Sequence, residues 1–206
     1  MLGVLTTGFV YLFLWPEFAS DKLVASLTKF IRTTVDFGRE VADGTVTETR
    51  IAAVERRLSS DLLQVLNFAD QAKLEGQRGL VNSTNGVTAA ATLIRIAYRF
   101  LVIARARVSG VEATLPHEVL AQRFAQEREY CNALESKIEM LESVPSPNRS
   151  PAPLPQSTIE FAHLSDDLTT RVSSENGNLA AQLESYRRLP VLLEHLDEAL
   201  SKIEIS

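Results

Sequence analysis

The sequence is poor in the residues that staple small proteins. It has one cysteine, Cys131, in 206 residues, which excludes a disulfide framework within the chain and suits a reducing compartment. Its three histidines, His117, His163 and His195, lie far apart, and no Cys/His pair has zinc-ligand spacing. Nine glycines and eight prolines are few for an all-β protein, and five of the prolines fall in one short stretch, 145–155. The remainder is almost free of helix breakers. No phosphate-binding glycine loop, dinucleotide fingerprint or Gly-x-Ser-x-Gly elbow occurs. A net charge of −5 with both signs interspersed gives nucleic-acid binding no electrostatic support.

Helical periodicity is abundant, and 45% of the chain is hydrophobic, enough for one or two domains with a real core. The first fifteen residues, MLGVLTTGFVYLFLW, carry no charge. A helix that is apolar all round is buried in protein or in lipid. As a helix this stretch is roughly 22 Å long, short of the about 30 Å hydrocarbon core of a bilayer. Residues 16–42 then place Leu23, Leu27, Phe30, Thr34 and Phe37 on one stripe, with Lys22, Lys29, Arg32 and Arg39 off it. Ser20 and Asp21 suit a helix start, and Asp43-Gly44 a stop. Residues 47–75 repeat the pattern with Ile51, Val54, Leu58, Leu62, Val65 and Ala69 behind a Thr47 N-cap. Arg50 stands where a capping box needs Glu, so that box is incomplete. The sequence GQRGLVNSTNG (76–86) reads as a loop.

Residues 87–109 are strongly apolar, with Leu93, Ile94, Ala97, Leu101, Ala104 and Val108 on one side. The stretch is long enough to suggest a membrane span, but it contains Arg95, Arg99, Arg105 and Arg107. Each arginine costs about 2.5–3.5 kcal/mol at a bilayer centre on insertion scales, so the expectation is the central helix of a soluble bundle. Residues 116–143 carry a heptad seam, Leu120, Phe124, Glu127, Cys131, Leu134, Ile138 and Leu141, with Glu127 as its one charged interruption. VPSPNRSPAPLPQS (144–157) is a Pro-rich extended linker. Beyond it, Leu179, Leu183, Tyr186, Leu189, Leu193, Leu196, Leu200 and Ile203 form a stripe in which Pro190 is expected to kink or restart the helix. Asn176-Gly177-Asn178 separates that helix from a short one over 159–172.

Few residues suggest chemistry. Asp166-Asp167 near His163, and Glu194-His195 with Asp197-Glu198, can be drawn as metal clusters, but a helix cap and solvated helix faces explain them better. Arg95 and Arg99 suit an anion, though pairing with acids of neighbouring helices is the plainer expectation. Cys131 reads as a small core residue. Asn82-Ser83-Thr84 and Asn148-Arg149-Ser150 match the glycosylation pattern, which matters only in a secretory pathway that nothing else signals. No catalytic, cofactor-binding or metal residue is assigned, no cofactor is expected, ligand-binding residues are undefined, and the chain reads as a non-enzyme.

One resemblance extends this reading. GFVYLFLWPEFASDKLVASLTKFIRTTVDF (8–37) resembles the junction between the first membrane bundle and the soluble domain of the fusaric acid resistance (FUSC) family, with Trp15-Pro16 at the membrane exit. QAKLEGQRG (71–79) resembles the end of that domain's next long helix, and AATLIRIAYRFLVIARA (90–106) the Arg-punctuated helix that follows. The similarity covers about residues 1–145 and is one of pattern, so it assigns no site residue. The family comprises proton-driven inner-membrane exporters of aromatic acids or drugs. The resemblance therefore implies a fragment or half of such a transporter, with membrane bundles before Met1 and after Ser206. The bulk would be cytoplasmic, consistent with Lys22, Lys29 and Arg32 close to the apolar end. Its implied partners are the bilayer through residues 1–15, the remaining membrane bundles, a periplasmic adaptor and further copies of itself.

The expectation is thus an all-α antiparallel bundle of long amphipathic helices with an N-terminal partial transmembrane helix. Residues 1–15 form the end of that membrane helix, 16–143 a cytoplasmic bundle, 144–157 the linker, and 158–206 helices packing on the bundle. The competing reading is a stand-alone coiled-coil scaffold. A secretory signal is disfavoured, because residues 1–15 lack Lys and Arg and Phe18-Ala19-Ser20 is a poor cleavage site.

Overall fold

The computed structural model describes residues 19–75, 83–142 and 177–202. These residues form five long helices, α1 (Ala19–Ala42), α2 (Glu48–Glu75), α3 (Ser83–Val108), α4 (His117–Glu142) and α5 (Gly177–Ser201), with a 3-10 turn at Val111–Thr114. There is no strand among them. The proposed membrane helix at 1–15, the Pro-rich linker and the short helix at 159–172 lie outside the described residues.

Each helix buries the stripe its sequence encodes. In α1, Leu23, Leu27, Phe30, Thr34 and Phe37 are all inaccessible to solvent, while Lys22, Lys29, Arg32 and Arg39 are exposed. Helix α1 ends in a Schellman motif: Thr45 N–H donates to the Glu40 carbonyl at 3.1 Å and Gly44 N–H to the Val41 carbonyl at 3.0 Å. Gly44 sits at φ 68°, the left-handed conformation this motif requires. Helix α2 starts at the expected cap, with Arg50 N–H donating to Thr47 Oγ1 at 3.3 Å. The Arg50 side chain, in place of the missing capping-box Glu, reaches back to Glu40 with two hydrogen bonds of 2.7 and 2.6 Å.

The helices pack as an antiparallel bundle around α1 and α3. Lys29 meets Asp61 at 2.8 Å and Arg50 meets Glu40 at the other end, so α2 runs against α1. Arg32 pairs with Glu142 and Arg39 with Glu135, so α4 also runs against α1. Helices α1 and α3 run parallel and close. A Cβ on Gly86 would lie 2.8 Å from Leu23, and one on Gly38 would lie 2.7 Å from Cys131 Sγ and 3.1 Å from the Phe100 ring. Asn85 Nδ2 donates to the Lys202 carbonyl at 2.6 Å, which sets α5 antiparallel to α3. The core is one continuous cluster that includes Phe30, Phe37, Leu58, Leu93, Ile96, Phe100, Leu134, Tyr186 and Leu193.

Two expectations need correction, and a third is narrowed. Ser20 and Asp21 lie inside α1 rather than capping it. Ser83 to Gly86, read as loop, form the first turn of α3; the Asn85 bond to α5 and the fit of Gly86 against Leu23 offset their poor helix propensity. Gly177 and Asn178 are the first residues of α5, and the segment they were expected to separate from it lies outside the described residues. Of the two outcomes expected at Pro190, a restart does not occur, since α5 is continuous from Gly177 to Ser201. An interior proline costs about 3 kcal/mol, but burial of Leu183, Tyr186, Leu189, Leu193, Leu196 and Leu200 on the same helix outweighs it.

Helix α3 passes the length and composition test for a membrane span, with a mean hydropathy of 1.6, and 56% of that window is buried within the bundle. It packs against α1, α2 and α5.

Candidate functional site

The most concentrated polar chemistry lies where the C-terminus of α3, the 3-10 turn and the first halves of α4 and α5 meet. Gly110, at φ 76°, turns the chain between α3 and the 3-10 helix, which brings Glu112 back beneath Arg107. Arg107 donates to Glu112 Oε2 at 2.6 Å and Oε1 at 3.3 Å. It also grips Glu127 of α4 with bonds of 3.0 and 2.8 Å, reaches the Val41 carbonyl at the end of α1, and stacks over the Phe124 ring at 4.5 Å. One guanidinium thus joins α1, α3, the turn and α4.

A second arginine extends the cluster. Arg123 is fully buried, donates to Gln182 Oε1 at 3.2 Å, lies 3.7 Å from Glu112, and sits 5.3 Å from the centre of the Tyr186 ring. Gln182 donates its amide to Glu112, and the Tyr186 hydroxyl donates to Glu127. Beside them Gln126 donates to the Tyr130 hydroxyl at 2.5 Å. The two arginines and the two glutamates balance in charge, which is the condition for placing four ionisable groups in a protein interior.

The electrostatics follow from burial. Burial pushes the Glu127 carboxyl above its ordinary range, while hydrogen bonds and charge from Arg107 pull it back. Burial would lower the Arg107 guanidinium, but its bonds to Glu127 and Glu112 outweigh that, and the net direction is upward. Burial and the Glu127 charge both raise Tyr186, and burial raises Tyr130. The Glu127 oxygens are taken up by Arg107 and Tyr186. The arrangement is a clasp that fixes the helix ends against one another, and it holds no activated nucleophile.

Other singled-out residues are dispersed. Cys131 is a buried core residue, as read, and burial pushes its thiol up to about 12. Of the heptad seam, Cys131, Leu134 and Ile138 are buried and Leu120, Phe124 and Leu141 half-buried. Glu127, the interruption, proves to be the seam's most structurally demanding member. His117 is exposed at the start of α4, and His195 is exposed on α5. Glu194 is exposed, Glu198 is exposed and pairs with Lys202 at 2.6 Å, and Asp197 pairs with the buried Lys137 of α4. His163, Asp166 and Asp167 lie outside the described residues, among which no group of acids, histidines or cysteines could hold a metal. Arg105 pairs with Glu55 of α2. Arg95 and Arg99, expected to pair with acids, form no ion pair among the described residues; they border a cleft between α3 and α5.

The sequence reading passed over Arg123, Glu112 and Gln182, and took Tyr186 only as a member of the apolar stripe of α5. One signal was available: a carboxylate on an apolar seam needs a buried cation, and the Arg-rich end of α3 supplies it. No family model, curated protein or solved structure matches this chain.

Proposed function

We propose that this chain is the membrane-proximal helical domain of an inner-membrane exporter of the fusaric acid resistance type, with a role in assembly or regulation of that transporter. Three features support the reading. An apolar stretch ends at Trp15-Pro16, shortly before α1 begins at Ala19. The bundle that follows is all-helical, with a core closed by its own five helices. Its densest polar cluster is a charge-balanced clasp, suited to holding helices in register rather than to turning over a substrate. The closeness of the apolar stretch to α1 carries the proposal, because it would tether the bundle to a bilayer. The bulk would lie in the cytoplasm, and the domain would not act as an enzyme. Disruption of the gene in its own host should raise intracellular accumulation of aromatic acids. Unchanged accumulation with normal growth would sink the transport reading.

The self-contained core also supports a second reading, a scaffold that needs no membrane partner to fold. Gene disruption would then leave aromatic-acid accumulation unchanged, and the protein would remain in the soluble fraction with residues 1–15 intact.

A further inference from the structure

Two clefts of nearly equal size flank the bundle, and their charges differ. The first, about 350 Å³ between α1 and α4, contains Arg32 and Arg39 among Asp36, Glu135 and Glu139. Both arginines there are engaged, Arg32 with Glu142 and Arg39 with Glu135. The second, about 340 Å³ between α3 and α5, is lined by Arg95, Arg99, Arg188 and His195, with Glu184 as the only acid among its described lining residues. That glutamate is taken by Arg188 at 2.6 Å. Arg95 and Arg99 have no ion pair among the described residues, and Arg99 Nε is buried with no hydrogen-bond acceptor. A buried donor without an acceptor is costly, and a cationic one more so. Among the described lining residues, three arginines against one glutamate give a net charge of two positive.

We propose that this cleft binds a phosphate monoester. Two net positive charges match the dianion such an ester carries at neutral pH. Guanidinium forks on facing helices suit its tetrahedral oxygens, since arginine pairs with phosphate through parallel N–H donors. The acceptor missing at Arg99 Nε is what a phosphate oxygen supplies. Val191, 45% exposed, and Leu192 add an apolar wall on which the ester's organic group can lie. The volume is at the small end for ligand sites, so the group is a compact one. The proposal stands on this cleft alone and holds whether or not the chain is tethered to a membrane.

The test is calorimetric titration of the full chain with phenyl phosphate, inorganic phosphate and benzoate at matched ionic strength. Phenyl phosphate is expected to bind saturably and more tightly than either of the others. R95Q and R99Q should each weaken it about tenfold or more, the effect of losing hydrogen bonds to a charged group. R56Q, which alters an exposed arginine on α2, should leave it unchanged. Arg95 is exposed and unpaired among the described residues, so R95Q keeps the fold and decides the matter even if R99Q is unstable. Absence of saturable binding at millimolar concentration, an unaltered affinity in R95Q, or benzoate binding as tightly as phenyl phosphate would each overturn the proposal.

Discussion

Replacing Glu127 by alanine tests the clasp most sharply. The side chain is 0% exposed and accepts two hydrogen bonds from Arg107, whose own side chain is 10% exposed. Removing one member of a buried ion pair costs about 3–5 kcal/mol, because the other charge is left buried. Arg107 keeps Glu112 at 2.6 Å, which moderates the loss, while the Tyr186 hydroxyl loses an acceptor, which adds to it. The expected destabilisation of E127A is therefore about 3–4 kcal/mol, a large share of the 5–15 kcal/mol that holds a typical domain together. E127Q keeps the shape and one acceptor oxygen and should lose about half as much. Replacing both partners, as R107M/E127L, should recover only part of the loss, since Glu112 would then be left without its 2.6 Å partner Arg107. Urea unfolding followed by far-ultraviolet circular dichroism gives these differences from shifted midpoints at constant slope. A cost for E127A below about 1 kcal/mol, typical of a solvent-exposed pair, would show that the charges are not buried together and would refute the reasoning.

Gly38→Ala should destabilise the bundle by about 1–3 kcal/mol despite alanine's better helix propensity, because the new methyl would meet Cys131 Sγ and the Phe100 ring at 2.7 and 3.1 Å. The double variant G38A/C131A should be more stable than G38A alone when compared by thermal melts. Thr47→Ala should cost about 1 kcal/mol through loss of the α2 cap, read from the same urea curves. Alkali should also destabilise the fold. The Cys131 thiol, ordinarily near 9.0, is pushed up to about 12 in the folded chain. Above pH 9 the unfolded chain releases that proton and the folded chain keeps it, so stability falls as pH rises, by up to about 1.4 kcal/mol per pH unit from this group. C131A should flatten that slope in urea midpoints collected between pH 8 and 11, and an unchanged slope would contradict the assignment.

The architecture was legible because amphipathic periodicity is a local property. The spacing of Leu23, Leu27, Phe30 and Phe37, or of Ile51, Val54 and Leu58, records which face is buried whatever it packs against. The errors fell where tertiary contacts decide. Ser83 to Gly86 read as loop from composition, yet Asn85 and Gly86 are held by α5 and α1. Pro190 read as a kink or a restart, and the apolar face of α5 carries the helix through it without a restart. Glu127 read as a flaw in a heptad, because its partners lie on other elements: Arg107 on α3 and Tyr186 on α5. Charge pairing across helices leaves no periodic trace. Arg95 and Arg99 show the converse, since nothing in the sequence distinguishes an arginine with a partner from one without.

The central functional claim is that residues 1–15 tether a bundle that folds without them. Expression of the full chain and of a chain lacking residues 1–15, followed by membrane pelleting and an alkaline carbonate wash, tests it directly. The account predicts that the full chain stays with the membranes, and that the shortened chain moves to the supernatant with an unchanged helical circular dichroism spectrum. Identical partitioning of the two chains, in either fraction, would contradict it.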